Sequence, residues 1–386
     1  MRLSLSTRFS LALLILATIV GAGPASLSAQ ALTIPPPGAN QSAIVTQYMG
    51  MVSVTIDYNS PDVTSPAGDD RTGKIWGQLV PWGIAPNQFY PGFGTAENMP
   101  WRAGANENTT ISFSHDVEVE GEPIAAGTYA LFMAPGEDKW TIIFNSNSSA
   151  WGSFFYDPEL DVLKVEVEPE KTDYFREWLT YEFEDRQLDS TVAVMHWENL
   201  RVPFRISVPN MDELYHDTMA AELTGAVGFN FQNWVAASNW AAQREAYFED
   251  AVRWADAAIA ANSSYQTLAN KAVVLFQIGQ KEEGMKALEV AMEDPTATPV
   301  AIHGTARGLQ FQGDMETANL IFRKNYEMNP GEWPVDFGMA RALAQEGEYE
   351  AALEHALIAK ERSPEGQLQN VETQIERLKK GENINP

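Results

Sequence analysis

The segment AVVLFQIG at residues 272–279 recurs as ARGLQFQG at 306–313 and as ARALAQEG at 340–347. Alanine, leucine and glycine thus return at one constant interval. Two further positions keep the same interval, namely Gly284, Ala318 and Ala352, and then Leu288, Phe322 and Ala356. Small side chains let two helices approach closely, and a glycine can turn the chain between them. The pattern therefore predicts a stack of helix pairs.

A 34-residue period with small residues at fixed places, and with Pro330 and Pro364 closing the last two copies, resembles the tetratricopeptide repeat. The resemblance is clear from Leu268 to about Pro364, and one degraded copy precedes it around Trp254. It departs from the family pattern in lacking a large aromatic residue near the start of the first helix. Residues 367–380 are expected to form a polar capping helix, because the last repeat has no neighbour to cover it.

The hydrophobic period is different ahead of the repeats. From about Ala43 to Val208 apolar residues alternate, as in VSVTID at 52–57 and WTIIF at 140–144, and turn formers separate the runs. Short alternating segments without a helical pattern favour an antiparallel β-sandwich. The predicted organisation is a β-sandwich at 32–208, a helical connector with the first repeat helix at 209–243, and repeats with a capping helix at 244–386.

Residues 1–31 have the pattern of a secretory signal. Arg2 and Arg8 precede an apolar run at 11–20, and Ala29-Gln30-Ala31 fits the small-x-small rule for cleavage. The apolar run is shorter than the roughly twenty residues that span a bilayer, which disfavours the alternative of an uncleaved anchor. We therefore expect an exported protein, periplasmic or extracellular, with no membrane span after signal cleavage.

The composition excludes several classes of function. The chain has no cysteine, which rules out disulfides and thiolate metal sites. Acidic residues outnumber basic ones 52 to 26, and the resulting net charge of −26 disfavours a nucleic-acid partner. The five histidines show no zinc-motif spacing, and no nucleophile elbow or phosphate-binding loop is present. No metal or cofactor is expected, and a non-enzymatic role is favoured although an enzyme remains an open alternative.

Several segments resemble a bacterial exported family known as the domain of unknown function DUF2911. They are DYNSP at 57–61, IWGQLVP at 75–81, WRAGANE at 101–107, AGTYALF at 126–132, WLTYEF at 178–183 and HWENL at 196–200. The resemblance covers about Ala43 to Val208 and implies export, but the family has no agreed activity and so implies no mechanism. One departure is an aromatic, proline-rich insertion at 84–100, which we expect to cover part of any neighbouring site.

The most promising polar group is Arg102, Asn106 and Glu107, in a glycine-containing loop ahead of a predicted strand. An arginine offers a planar fork to a carboxylate or phosphate, and the other two side chains can complete a small ligand site. The structural alternative is that Arg102 pairs with Glu107 or Asp57 and pins the loop to the sandwich.

His196 and the tryptophans are further candidates for ligand binding. His196 shares a strand face with Val194, which favours a buried core histidine over a catalytic base. Trp76, Trp82 and Trp101 are candidates for a platform under a sugar ring, although tryptophans of a sandwich core are the favoured alternative.

Two functions follow from these observations. The first is an exported, non-enzymatic binding or assembly protein whose repeats dock a protein or peptide, with a basic partner favoured by the net charge. The alternative is a sugar-binding module or enzyme with its site in the sandwich near Arg102, Asn106 and Glu107. Whether Arg102 is buried in an ion pair or open to a cleft distinguishes them.

Overall fold

The computed structural model describes residues 40–386, which form two compact units divided between Pro209 and Asn210. The predicted secretory signal at 1–31 lies outside the described residues. Within residues 40–386, no helix combines the length and the apolar character needed to cross a membrane.

The first unit is built from antiparallel sheets. A six-stranded sheet has the order β1-β2-β5-β8-β9-β10, a four-stranded sheet has the order β11-β12-β6-β7, and β3 pairs with β4 separately. The strands are β1 Gln41–Met49, β2 Val52–Ser60, β3 Ala85–Pro86, β4 Asn98–Met99, β5 Thr110–Phe113, β6 Val117–Val119, β7 Glu122–Ile124, β8 Gly127–Ala134, β9 Trp140–Asn145, β10 Asp161–Val167, β11 Glu170–Glu184 and β12 Ser190–Ser207.

The two larger sheets pack face to face. Alternate residues of β2 such as Ile56 are fully buried, as the period of two predicts. Aromatic rings join the sheets: the Tyr58 and Tyr181 centroids are 4.9 Å apart, and those of Phe144 and Phe204 are 6.5 Å apart. The predicted antiparallel sandwich is confirmed.

The longest strand differs from what the sequence pattern predicts. Apolar residues alternate in two separate segments, 191–197 and 202–208, which suggests two strands. The structure has one continuous strand, β12, paired with β11. Glu198 adopts a φ of 56°, and the pairing shifts register around Arg176. Such an irregularity breaks the alternation of side chains without ending the strand, which explains the misleading pattern.

The second unit contains ten helices. They are α1 Met211–Leu223, α2 Phe231–Ala241, α3 Phe248–Ala261, α4 Tyr265–Gln277, α5 Lys281–Met292, α6 Pro299–Phe311, α7 Met315–Met328, α8 Trp333–Gln345, α9 Tyr349–Arg362 and α10 Glu365–Lys379. Helices α4, α6 and α8 begin at the constant interval of the sequence repeat, and so do their partners α5, α7 and α9. The repeat predicted from the sequence is confirmed.

The repeated glycines turn the chain between helices, and the repeated alanines lie at helix contacts, as the sequence predicts. Gly279, Gly313 and Gly347 turn the chain between paired helices with φ values of 82°, 91° and 83°, where a side chain is strained. The alanines at the repeated helix-contact positions are fully buried; they are Ala272, Ala306, Ala340, Ala318 and Ala352. The last helix, α10, packs on the same core as α9 through Val371, Ile375 and Leu378.

Candidate functional site

A cleft of about 460 Å³ lies in the β unit beside the insertion. Phe89 and Met99 of the insertion form part of its wall, and Trp101, Arg102 and Trp197 also line it. The insertion is held together by β3 and β4 and packs its aromatic rings on the segment at 154–155. It therefore covers part of this site.

Arg102 enters the cleft wall from the loop that follows β4. Its Nη1 donates a hydrogen bond of 2.6 Å to the backbone oxygen of Asn106, and its guanidinium lies 4.8 Å from the Phe154 ring centroid. A Cβ atom on Gly152 would overlap the guanidinium, so the glycine makes room for it. Burial lowers the pKa of Arg102.

The prediction that Arg102 forms an ion pair is wrong. No carboxylate within residues 40–386 lies within ion-pair distance of it, so neither Glu107 nor Asp57 is its partner. The physical reason is the loop's backbone, in which Ala103 and Asn106 have φ values of 53° and 57° and direct the Asn106 carbonyl at the guanidinium.

Asn106 and Glu107 do not line the cleft. The Asn106 Oδ1 accepts a hydrogen bond of 3.0 Å from Asn40, and the exposed Glu107 accepts one of 2.9 Å from Asn59 on β2. These contacts fasten the loop to β2 and to the residue just ahead of β1. Of the three predicted polar residues, only Arg102 is available to a ligand in the cleft.

The tryptophans form a packed cluster. The Trp76 ring lies edge-on to Trp101, Trp140 and Trp197, at centroid distances of 5.7, 5.1 and 5.7 Å. Trp101 and Trp197 are stacked with planes 16° apart and face the cleft. Trp76 lies behind them and outside the cleft lining, so it supports the aromatic wall.

Trp82 and His196 lie away from the cleft lining. Trp82 is 44% exposed and rests against Gly77, where a Cβ atom would collide with its ring. His196 is buried on β12, and its Nε2 is 3.1 Å from the backbone oxygen of Tyr174. Burial lowers the pKa of His196, which favours a neutral ring. The six residues predicted from the sequence therefore do not form one site.

A second cavity, of about 610 Å³, is a groove across α2, α4 and α6. Side-chain amides dominate its polar lining; they belong to Asn239, Gln243, Gln266, Asn270, Gln277 and Gln312. The Gln277 Nε2 donates a hydrogen bond of 3.0 Å to the Gln312 Oε1. The buried Gln277 Oε1 has no hydrogen-bond partner within residues 40–386. Amides carry both donors and acceptors, so the groove can pair with a peptide backbone.

The α6 wall of this groove is open. Gly304 and Gly308 line it, and a Cβ atom added to either would meet nothing within 4 Å. The apolar side chains of Val273 and Leu309 also line the groove. An extended chain could therefore approach the backbone of α6 closely.

Comparison with known proteins identifies the first unit. Residues 40–206 match the sequence model of the family described as a protein of unknown function, DUF2911. The β unit is a DUF2911 domain. The resemblance carried by its motifs is thereby confirmed. A search of curated proteins finds no match to the chain.

Two solved structures resemble the helical part. One is the crystal structure of MamA, with 16% identity, 38% of this chain and 85% of that chain covered, and a TM-score of 0.26. The other is YrrB, titled a TPR protein with an unusual peptide-binding site, with 18% identity, 42% and 83% coverage, and a TM-score of 0.26. The repeat assignment itself rests on the constant interval of the helices that follow the DUF2911 domain.

The groove amides are functional candidates that the sequence analysis missed, although a signal for them exists. Gln243, Gln277 and Gln345 occupy one position of the repeat frame. The repeated small and apolar residues, from which the helix stack is predicted, build the contacts between helices. Polar residues that repeat in the same frame mark the surface that the helices share.

The described part of the chain, residues 40–386, contains no group of three or more histidine, aspartate or glutamate side chains placed to hold a metal ion. The arrangement in both units offers hydrogen bonding, aromatic contact and charge, which are the means of binding a ligand.

Proposed function

We propose that this protein is an exported, non-enzymatic binding protein whose repeat array docks an extended peptide segment of another protein. Export is supported by the signal pattern of residues 1–31. It is tested by fusing residues 1–40 to a phosphatase that is active only outside the bacterial cytoplasm. Activity of the fusion is expected, and an inactive fusion that accumulates in the cytoplasm would contradict export.

The amide-lined groove is the observation that carries the docking proposal. An extended peptide presents a backbone donor and acceptor at nearly every residue, and both need partners when the peptide leaves water. The amides of Asn239, Gln266 and Gln277 supply both kinds of partner along helices α2 and α4. The unpaired Gln277 Oε1 is an acceptor that a peptide N–H would satisfy.

The open glycines allow a test that spares the fold. Replacing Gly308 with tyrosine fills the groove, and the absence of any atom within 4 Å of the new Cβ means that no native contact is displaced. Tyrosine is also a better helix former than glycine, by a few tenths of a kcal/mol up to about 0.5 kcal/mol. Gly308→Tyr should therefore fold at least as well as the parent chain and lose peptide binding.

The assay is selection of a random dodecapeptide phage library on the full mature chain. The matched control is Gly366→Tyr, since Gly366 is a helical glycine of α10 with equally open space that does not line the groove. We expect the parent and Gly366→Tyr to enrich related peptides and Gly308→Tyr to enrich none of them. Equal enrichment by Gly308→Tyr would place the peptide elsewhere and contradict the groove.

A second candidate function is supported by the DUF2911 cleft. Arg102 and the stacked Trp101 and Trp197 together line it, a combination suited to a small ligand with a flat face and a negative group. Titration of tryptophan fluorescence with neutral sugars and with sugar acids tests it. Quenching by the acids alone, weakened in Arg102→Lys, is expected, and no response to either series would contradict this candidate.

A further inference from the structure

Three arginines surround a second cavity of the helical unit. It has a volume of about 510 Å³ and is lined by α6, α8 and α10 and by the segment at 384–386. Arg307, Arg341 and Arg377 all line it, and none of its lining side chains is acidic. This concentration of positive charge is unexpected in a chain with a net charge of −26. We refer to it as the arginine pocket.

Two of the arginines, Arg307 and Arg341, occupy the same position in successive repeats. Each guanidinium lies over an aromatic ring of its own helix: Arg307 is 4.6 Å from the Phe311 centroid, and Arg341 is 4.8 Å from the Phe337 centroid. These rings hold the guanidinium groups in place without neutralising them. The buried Arg341 also donates 2.9 Å to the backbone oxygen of Ile384.

Carboxylates satisfy only a small part of this charge. Within residues 40–386 the one acid paired with any of the three is Glu382, whose exposed side chain lies 3.5 Å from the Arg377 Nε. The Nε of Arg341 is buried without a hydrogen-bond partner among the described residues. Burial, together with Arg307 and Arg377, lowers the pKa of Arg341 to about 9. A bound anion would offset the repulsion between the three groups.

We propose that the arginine pocket binds side-chain carboxylates of the docked peptide, so that the partner segment is acidic. This inference rests on the proposed function, and it names the chemistry of the partner. The net charge of the chain favours basic partners at long range, but local contacts set specificity once a segment is docked.

Continuity with the groove favours a peptide over a free anion as the occupant. Gly304 of α6 lines both cavities, so one chain can cross from the amides of α4 to the arginines of α8 and α10. Exposed apolar side chains flank the arginines: Val300 is 59% exposed and Phe311 70% exposed. A segment that combines carboxylates with apolar residues fits this lining.

The test uses the same dodecapeptide selection on the full mature chain. The variant is Arg307→Gln with Arg377→Gln, which leaves the buried Arg341 and its contact to Ile384 intact. The control is Arg323→Gln, since Arg323 lies on α7 outside the pocket and pairs with the exposed Glu346. Helical circular dichroism and unfolding temperature establish that each variant is folded.

We expect peptides selected by the parent and by Arg323→Gln to be enriched in aspartate and glutamate over the input library, and those selected by the double variant not to be. Replacing the carboxylates of a selected peptide with amides should weaken its binding to the parent by about tenfold or more. The same replacement should have little effect on binding to the double variant.

Four results would overturn the proposal, and they separate it from the proposed function. If the parent selects peptides that Gly308→Tyr does not, but these peptides are not enriched in carboxylates, the proposed groove function is supported and the proposal of an acidic partner is refuted. Enrichment that persists in the double variant would refute the role of the arginines. If inorganic phosphate displaces a selected peptide as effectively as the unlabelled peptide does, the pocket is a site for small anions. Failure to select any peptide would refute both proposals.

Discussion

Replacing Arg102 with alanine should destabilise the DUF2911 domain by about 2 kcal/mol. Two contacts are lost: the hydrogen bond to the Asn106 oxygen, worth about 1.5–3 kcal/mol for a charged donor, and the contact with the Phe154 ring, worth about 0.5–2 kcal/mol. The net loss is smaller than their sum, because the variant no longer buries a guanidinium and water can reach the partly exposed Asn106.

Urea unfolding of the full chain measures this loss. The exciton circular dichroism of the tryptophan cluster reports on the DUF2911 domain alone, because all four rings belong to it. Arg186→Ala is the matched control: this exposed arginine also donates to a backbone oxygen, that of Phe183, but makes no aromatic contact. We expect a loss below about 0.5 kcal/mol for the control. An equally small loss for Arg102→Ala would refute the structural role assigned to Arg102.

Three further outcomes are expected in the helical unit. Gly313→Ala should cost about 1 kcal/mol in thermal unfolding, because the residue has a φ of 91° and meets no steric obstacle; an unchanged melting temperature would contradict this. Burial lowers the pKa of His216, but hydrogen bonds to Asp217 and Asp250 raise it more, so the net pKa is raised. The stabilisation from the protonated ring should therefore be lost as the pH rises above about 6.5 and through the raised pKa. Thermal melts at several pH values should show a smaller loss of stability over that range in His216→Gln. Ile384→Ala should cost about 2 kcal/mol and speed amide exchange in α10, since Ile384 is 3% exposed in the core that α10 shares; unchanged exchange would show that the segment is not docked.

The parts of the fold that the sequence predicts are those in which packing restricts residue type. Helices that approach closely need a small residue such as Ala306, and a left-handed turn needs a residue such as Gly313, so the repeat is visible in the sequence. The long strand β12 was not predicted as one element, because the irregularity near Glu198 is a backbone feature that leaves no clear residue pattern.

The candidate site was less predictable than the fold. Charge complementarity suggested a carboxylate for Arg102, but the partner is a backbone oxygen, and every residue carries one. The insertion lies beside the candidate cleft, and Phe89 lines this cleft and packs edge-on against Phe154. The groove amides and Arg307 can be recognised in the sequence only by their positions in the repeat. They were not predicted, because the repeat was defined from its buried small and apolar residues.

The uniform interval of the repeats makes the length of the binding surface adjustable in whole steps. Each helix pair presents nearly the same small residues to its neighbours, so a duplicated or deleted repeat would meet a compatible surface on either side. One such repeat would change the groove by about 8–10 Å, the distance between packed helices. That is about three residues of extended peptide at roughly 3.3 Å each. Recombination within the gene could thus change how long a segment is read without redesigning any contact between helices.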